Sequence, residues 1–331
     1  MFRHSFSHQW IRNGLIASLC AAIIMAIPAG AFAVRPDEIS LAAEMDAAQR
    51  AVAAMHPDEK LRNPDYLAEK FVSEDFWHYY HFSRDFDTSM KLVKTFRLGA
   101  YYYVNARTKH IDKMFQNTAQ NGLEQVVILG SGFDSRAYRF GEMLPGVRFF
   151  ELDHPPTSMR KQEKIKEIFG KIPTHVTFVP IDFNTWNVGD VLDKAGYDPQ
   201  KITCFIWEGI SMYITGEAVD QTLRFIATQS APGSTVIFDY ILESVIKGDS
   251  KKYPEARRFA FRMALAGEPI LSGLPEGDEA AQAYMNDRGL EVVSNVGYEE
   301  LTRMYLIGSD GQPDGQPSKY FKIAHARVRS N

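Results

Sequence analysis

The sequence predicts an α/β fold, doubly wound around a mostly parallel sheet of seven strands, and three observations carry that expectation. Short apolar runs at 126–129, 147–153, 175–182, 202–209 and 234–241 alternate with helix-like segments. The first of them, Val126 to Leu129, is apolar at every position, as befits a strand buried on both faces of a parallel sheet. It stops in Gly130-Ser131-Gly132, and the runs that follow end in acids: Asp153, Asp182 and Glu208. In open α/β sheets ligands bind beyond the carboxyl ends of the strands. Two last runs, 290–296 and 320–328, complete the seven.

At 331 residues, with 45% hydrophobic and 24% charged side chains, the chain has ordinary globular composition and enough apolar material for one large domain. The amino terminus differs in kind. Arg3 and Arg12 precede an apolar run from Gly14 to Ile27, followed by Ala31-Phe32-Ala33. This is the pattern of a secretory signal peptide over residues 1–33, cut after Ala33. A run of fourteen residues is short for a membrane span, which needs about twenty. The expectation is therefore a periplasmic or secreted protein with no stable membrane insertion after cleavage; cytoplasmic residence is the alternative. Removing residues 1–33 takes two arginines and no acids from a net charge of −4, so nothing attracts nucleic acid. Of the two cysteines, Cys20 and Cys204, only Cys204 would remain, which excludes an internal disulfide.

Residues 34–118 read as a helical cap ahead of the sheet. The stretch 36–72 is rich in Ala, Glu and Met, with a break at Asn63-Pro64. In FWHYYHF, 76–82, His78 and His81 lack the further ligands of a metal set, so no metal is expected. From Leu92 to Phe115 the apolar positions repeat every 3.6 residues, an amphipathic helix. Arg107 lies on its apolar stripe, where a charge must be paired. Two readings fit: an ion pair with a core carboxylate, or a bidentate grip on a ligand carboxylate.

Beyond the glycine turn a helix is expected from near Asp134 to Leu144, then others from Pro155 to Phe169, up to Ala195, and from Gly216 to Ser230. Glycine at 130 and 132 lets the backbone turn sharply and approach a ligand closely. Asp153, 21 residues after Gly132, is placed to accept the hydroxyls of a ribose, and an acid after the third strand can accept from an adenine amine. Each acid could equally cap its helix. Nicotinamide dinucleotides and S-adenosylmethionine both suit such a site. A dinucleotide fingerprint wants a third glycine where this chain has Ser135, and Arg107 with the strand-end acids suits a cationic cofactor bearing a carboxylate.

VVILGSGFDSRAYRF (126–140), FFELDHPPTSMRKQEK (149–164), VPIDF (179–183) and FIWEGISMYIT (205–215) resemble, in order and spacing, the four motifs of the leucine carboxyl methyltransferase family. The resemblance runs from about Ala42 to the carboxyl terminus. It implies a class I, Rossmann-like methyltransferase fold closed by an antiparallel strand pair, with S-adenosyl-L-methionine as cofactor and a small molecule or peptide as methyl acceptor. It further implies that Arg107 holds the methionyl carboxylate, Gly130 and Gly132 lie against the cofactor, Asp153 binds ribose, Asp182 and Phe183 the adenine, and Glu208 the methionyl amino end. The chain departs from the pattern at His154 and Pro155-Pro156, where many members have a leucine and one proline, and in its signal peptide.

Residues 245–290 interrupt the alternation with two expected helices, Glu255 to Ala266 and one ending at Asn286, joined by a Gly/Pro-rich loop: a candidate helical lid over the substrate. The loop 308–319 reads as polar and mobile. The expected reaction is methyl transfer to an oxygen, carboxylate or hydroxyl. A hydroxyl acceptor needs a general base, and Tyr213, His154 and Tyr240 are candidates by position only. The rivals are an exported non-catalytic binding protein that keeps the fold, and an NAD-dependent oxidoreductase.

Overall fold

The computed structural model describes residues 40–79, 83–96, 99–248 and 252–329. The segment read as a signal peptide lies outside the described residues, as does His81. Among the described residues no helix is long and apolar enough to cross a membrane, and no group of His, Cys, Asp and Glu is placed to hold a metal ion.

Seven strands form one sheet: β1 (Gln125–Leu129), β2 (Arg148–Asp153), β3 (Val176–Pro180), β4 (Thr203–Trp207), β5 (Thr235–Ile241), β6 (Leu290–Val296) and β7 (Phe321–Val328). Their order is β3-β2-β1-β4-β5-β7-β6. The first five are parallel, and β7 runs antiparallel between β5 and β6. Strand order reverses between β1 and β4, so the crevice beyond their carboxyl ends is the topological switch point where doubly wound sheets bind ligands.

The unbroken apolar run of β1 follows from its position. Side chains alternate across a strand, and both faces are covered here. Val126 and Ile128 join the core beneath the 41–54 and 99–119 helices, while Val127 and Leu129 join a second core with the 188–194 and 216–228 helices. All four are at most 1% exposed. Burying each contributes roughly 1.5–3 kcal/mol, so neither face tolerates a polar residue.

One helical expectation is adjusted. The stripe from Leu92 to Phe115 runs over the helices Phe86–Phe96 and Gly99–Ala119, with residues 97 and 98 outside the described residues. Gly99 packs so closely that a Cβ would stand 3.1 Å from Ser318 Oγ, and its carbonyl accepts from Ser318 N at 3.2 Å. After the glycine turn the helix is a single turn, Arg136–Arg139, followed by a 3-10 turn at Gly141–Met143. Gly141 sits against the His175 ring, with no room for a side chain. The 245–290 region forms helices Pro254–Leu265 and Asp278–Asn286. The loop 308–319, expected to be mobile, is instead fastened to the amino-terminal segment. Ser309 donates from N and Oγ to Asp58, and Ser318 is bonded to Gly99.

Candidate active site

The turn after β1 places Gly130 at φ +65° and Gly132 at φ +40°, left-handed backbone that favours glycine. A Cβ on Gly130 would overlap the Ile210 side chain, and one on Gly132 would stand 3.2 Å from Ala43. From below, Lys161 Nζ donates to the Ser131 carbonyl at 3.3 Å and pairs with Glu151 at 2.9 Å, both side chains being fully buried. Burial pushes the Glu151 carboxyl up to about 7 against the pull of Lys161. At the end of β2, Asp153 accepts from Gly132 N through Oδ2 and from His154 N through Oδ1 at 2.6 Å, so this acid shapes the turn. Burial raises its pKa, opposed by those two N–H groups.

Asp182 accepts from Asn184 N at 3.0 Å and Thr185 Oγ1 at 2.8 Å, holding the turn after β3 while Asn187 caps the helix that follows, and with Phe183 it lines the cavity. Arg107 is 4% exposed and its ion pair exists three times over. Nε donates to Glu208 at 2.8 Å, Nη1 to Asp239 at 2.8 Å and Nη2 to Asp46 at 2.5 Å. Guanidinium has five N–H groups, so two are left for a ligand. Glu208 also pairs with Arg136 at 2.6 Å. Burial opposes its ionisation, but Arg136 and then Arg107 hold its pKa well below the usual carboxylate range.

These pairs belong to one connected network. Arg50, Arg107, Arg136 and Arg139 face Asp46, Asp65, Asp112, Asp134, Glu208 and Asp239. Four guanidinium groups against six carboxylates leave the network a formal excess of two negative charges, with Asp112 and Asp239 not among the residues that line the cavity, and the field of the whole network favours a cation. The cavity measures about 850 Å³. Arg107, Gly130, Gly132, Asp153, Asp182, Phe183 and Glu208 all line it, so the seven residues singled out in the sequence converge on one space. Tyr213 and His154 line it as well. Tyr240 does not: it is 1% exposed in the second core, and its hydroxyl bonds Asn295 Oδ1 at 3.0 Å, which removes it as a base.

Sequence reading missed Asp46, Gln49, Arg136, Asp239 and Glu268. Asp239 carried a signal, being an acid inside the apolar run of β5 that ends at 0% exposure. Asp46 and Gln49, in an alanine-rich helix, carried none. Three buried polar atoms on cavity residues have no hydrogen-bond partner: Gln49 Oε1, Ser131 Oγ and Arg136 Nη2. Buried polar groups are rarely left so. Together with the negative excess and the free N–H groups of Arg107, these atoms suit a cofactor with a cationic centre, a carboxylate and sugar hydroxyls.

Comparison with known proteins agrees. The family model for leucine carboxyl methyltransferase matches residues 43–227. A Bacillus subtilis protein named as a candidate S-adenosyl-L-methionine-dependent methyltransferase is 35% identical over 204 residues, 61% of this chain and 65% of its own. The chain thus spans just under two thirds of that relative. A Mycobacterium tuberculosis protein named in the same way is 31% identical over 290 residues, 84% of this chain and 89% of its own. Among solved structures, a DUF574 family protein of Streptomyces avermitilis shares the fold at a TM-score of 0.52 and 16% identity, covering 75% of this chain and 91% of its own. A candidate methyltransferase of Thermobifida fusca does so at 0.50 and 17%, covering 75% and 90%. With the family model matched over residues 43–227 and the Mycobacterium tuberculosis relative covered over 89% of its length, the chain belongs to the leucine carboxyl methyltransferase family, whose cofactor is S-adenosyl-L-methionine.

Proposed function

We propose that the protein is an O-methyltransferase whose acceptor is a carboxylate of a small molecule or peptide. The observation that carries this reading is that Tyr213, the phenol candidate for a base, is held protonated where it lines the cavity. Burial, with Glu268 and Asp46 nearby, keeps the Tyr213 phenol protonated far above the ordinary tyrosine range, and its hydroxyl donates to Met263 Sδ at 3.4 Å. Glu268 accepts from Ser40 Oγ and Ala42 N, one hydrogen bond on each oxygen. His154 stands beside Asp153, at the glycine-turn end. A carboxylate acceptor arrives already deprotonated and needs positioning rather than a base.

The cofactor, when bound, supplies a methyl group on a sulfonium. For the chain's own residues the proposed roles are these. Asp153 accepts from ribose hydroxyls, Asp182 and Phe183 hold the adenine, Gly130 and Gly132 admit the cofactor against bare backbone, and Arg107 and Glu208 take the methionyl carboxylate and ammonium. The 34–118 segment acts as a cap, and the helix Pro254–Leu265, whose Phe259 and Met263 line the cavity, acts as a lid. Export through residues 1–33 completes the reading, and a mature terminus at Val34 in the extracytoplasmic fraction tests it.

The decisive experiment incubates the protein and a panel of carboxylic acids and alcohols with S-adenosylmethionine labelled in its methyl group. Product that releases labelled methanol in alkali supports an ester. Alkali-stable product would sink the carboxylate reading, and calorimetric binding of NAD in place of S-adenosylmethionine would sink the whole.

A further inference from the structure

Five arginines line the cavity, and four of them are tied down. Arg50, Arg107, Arg136 and Arg139 each pair with at least one carboxylate of the network described above. The guanidinium of the fifth, Arg262, has no hydrogen bond or ion pair among the described residues. It stands in the last turn of helix Pro254–Leu265, exposed on one side and lining the cavity on the other. Arg258, one turn earlier and also exposed, is equally unpaired. Like charges four residues apart repel, and the one acid on this helix, Glu255, stands three residues before Arg258 and seven before Arg262. A cation in a final helical turn gains something from the helix dipole, but that explains neither the second arginine nor the placement at the mouth of a cavity.

Resting on the methyl-transfer reading above, we infer that Arg262 is a specificity residue that binds a second anionic group of the acceptor, remote from the oxygen that is methylated. The two ends of the space differ. Tyr213 feels the charge of Glu268 and then those of Asp46, Arg107 and Asp239, the buried network. Arg262 stands with Arg258 within electrostatic reach of Tyr320, toward solvent. The lining also carries the apolar side chains of Met212, Phe259 and Met263, the last accepting from the Tyr213 hydroxyl at 3.4 Å. An acceptor matching this lining has a reacting carboxylate inside, an apolar part and an anion at the rim. Arg262 is suited to the rim position because guanidinium binds carboxylate or phosphate in a planar, two-pronged contact.

The test uses the full protein loaded with S-adenosylhomocysteine, whose binding is measured first. Monomethyl suberate, an apolar chain with one ester and one carboxylate, is then titrated against the neutral dimethyl suberate. The half-ester is expected to bind about tenfold tighter, the effect of one charge-assisted contact. Arg262→Gln should bring the ratio close to one, Arg262→Lys should keep most of it, and Arg257→Gln, on a residue outside the cavity, should leave it unchanged. Equal binding of the two probes, no binding of the half-ester, or a ratio that survives in Arg262→Gln overturns the inference. A purely structural role would move the melting temperature and not the ratio. Failure to bind S-adenosylhomocysteine at all would sink the methyltransferase reading instead.

Discussion

Arg107 donates from Nη1 to Asp239 Oδ2 at 2.8 Å, joining the 99–119 helix to the fifth strand across 132 positions of sequence. Asp239 is fully buried and also accepts from Gly209 N at 2.6 Å and from the Tyr103 hydroxyl at 3.1 Å. Burial raises the Asp239 pKa, and Arg107 is the strongest opposing influence. Removing one partner of a buried pair leaves an uncompensated charge, at a cost of about 3–5 kcal/mol. Arg107→Met is therefore expected to lower the stability of the ligand-free protein by that order, read from urea unfolding, and to weaken cofactor binding as well. Arg107→Met combined with Asp239→Leu should recover part of the stability and none of the binding. A single mutant as stable as the wild type would show that the network holds ligand alone.

Asp153 serves the turn and the pocket together. Its two oxygens each accept one backbone N–H, from Gly132 and His154, and a carboxylate oxygen can accept more than one hydrogen bond. Asp153→Ala is expected to weaken S-adenosylmethionine binding by more than about a hundredfold, the sum of two charge-assisted contacts to ribose hydroxyls. Calorimetry checks it. Affinity within a few-fold of wild type would leave this acid with its turn-holding role only.

The extent to which the sequence reveals this site follows the range of the interactions. β1 is legible because burial on both faces demands apolar residues at every position, and the strand-end acids are legible because each stands beside its own strand. Tyr240 was misplaced for want of the same rule: Asp239 and Tyr240 are successive in β5 and must point to opposite faces. Once Asp239 is known to face Arg107, Tyr240 has to lie in the other core. Asp46 and Glu268 were out of reach. What they do depends on segments distant in sequence, Asp46 on a residue 61 positions away and Glu268 on one 228 away.

Glu208 gives the site a defined response to acid. Its folded pKa is depressed well below the usual carboxylate range, burial being outweighed by Arg136 and Arg107. A group depressed on folding stabilises the protein above its unfolded pKa and loses that contribution as pH falls toward the folded value. Wild type should thus lose stability progressively below about pH 4.5, and Glu208→Gln should begin less stable at pH 7 and converge on wild type in acid. Melting curves from pH 7 to 3 read this directly. Parallel curves with no convergence would remove Glu208 as a source of the acid limb.

Glu268 closes the roof of the cavity. It accepts from Ser40 Oγ at 2.6 Å and Ala42 N at 3.0 Å, tying the start of the 41–54 helix to the chain just past the 254–265 helix. Ser40 Oγ in turn caps that helix by accepting from Ala43 N at 3.1 Å, and Ser40 N donates to Thr157 Oγ1 at 3.2 Å. The segment therefore lies across the glycine turn, with Ala43 against Gly132. A carboxylate at a helix amino terminus is favoured by the helix dipole as well as by its hydrogen bonds, so Glu268→Ala weakens the clasp twice. Because the clasp lies outside the residues assigned to the cofactor, its loss should act on exchange more than on affinity. Dissociation of S-adenosylhomocysteine, followed by stopped-flow displacement, is expected to accelerate by about tenfold, with association accelerated in step and the dissociation constant changed far less. An unchanged rate would mean that the cofactor enters by a path the Ser40–Ala43 segment does not cover, and a slower association would mean that Glu268 guides entry rather than barring it.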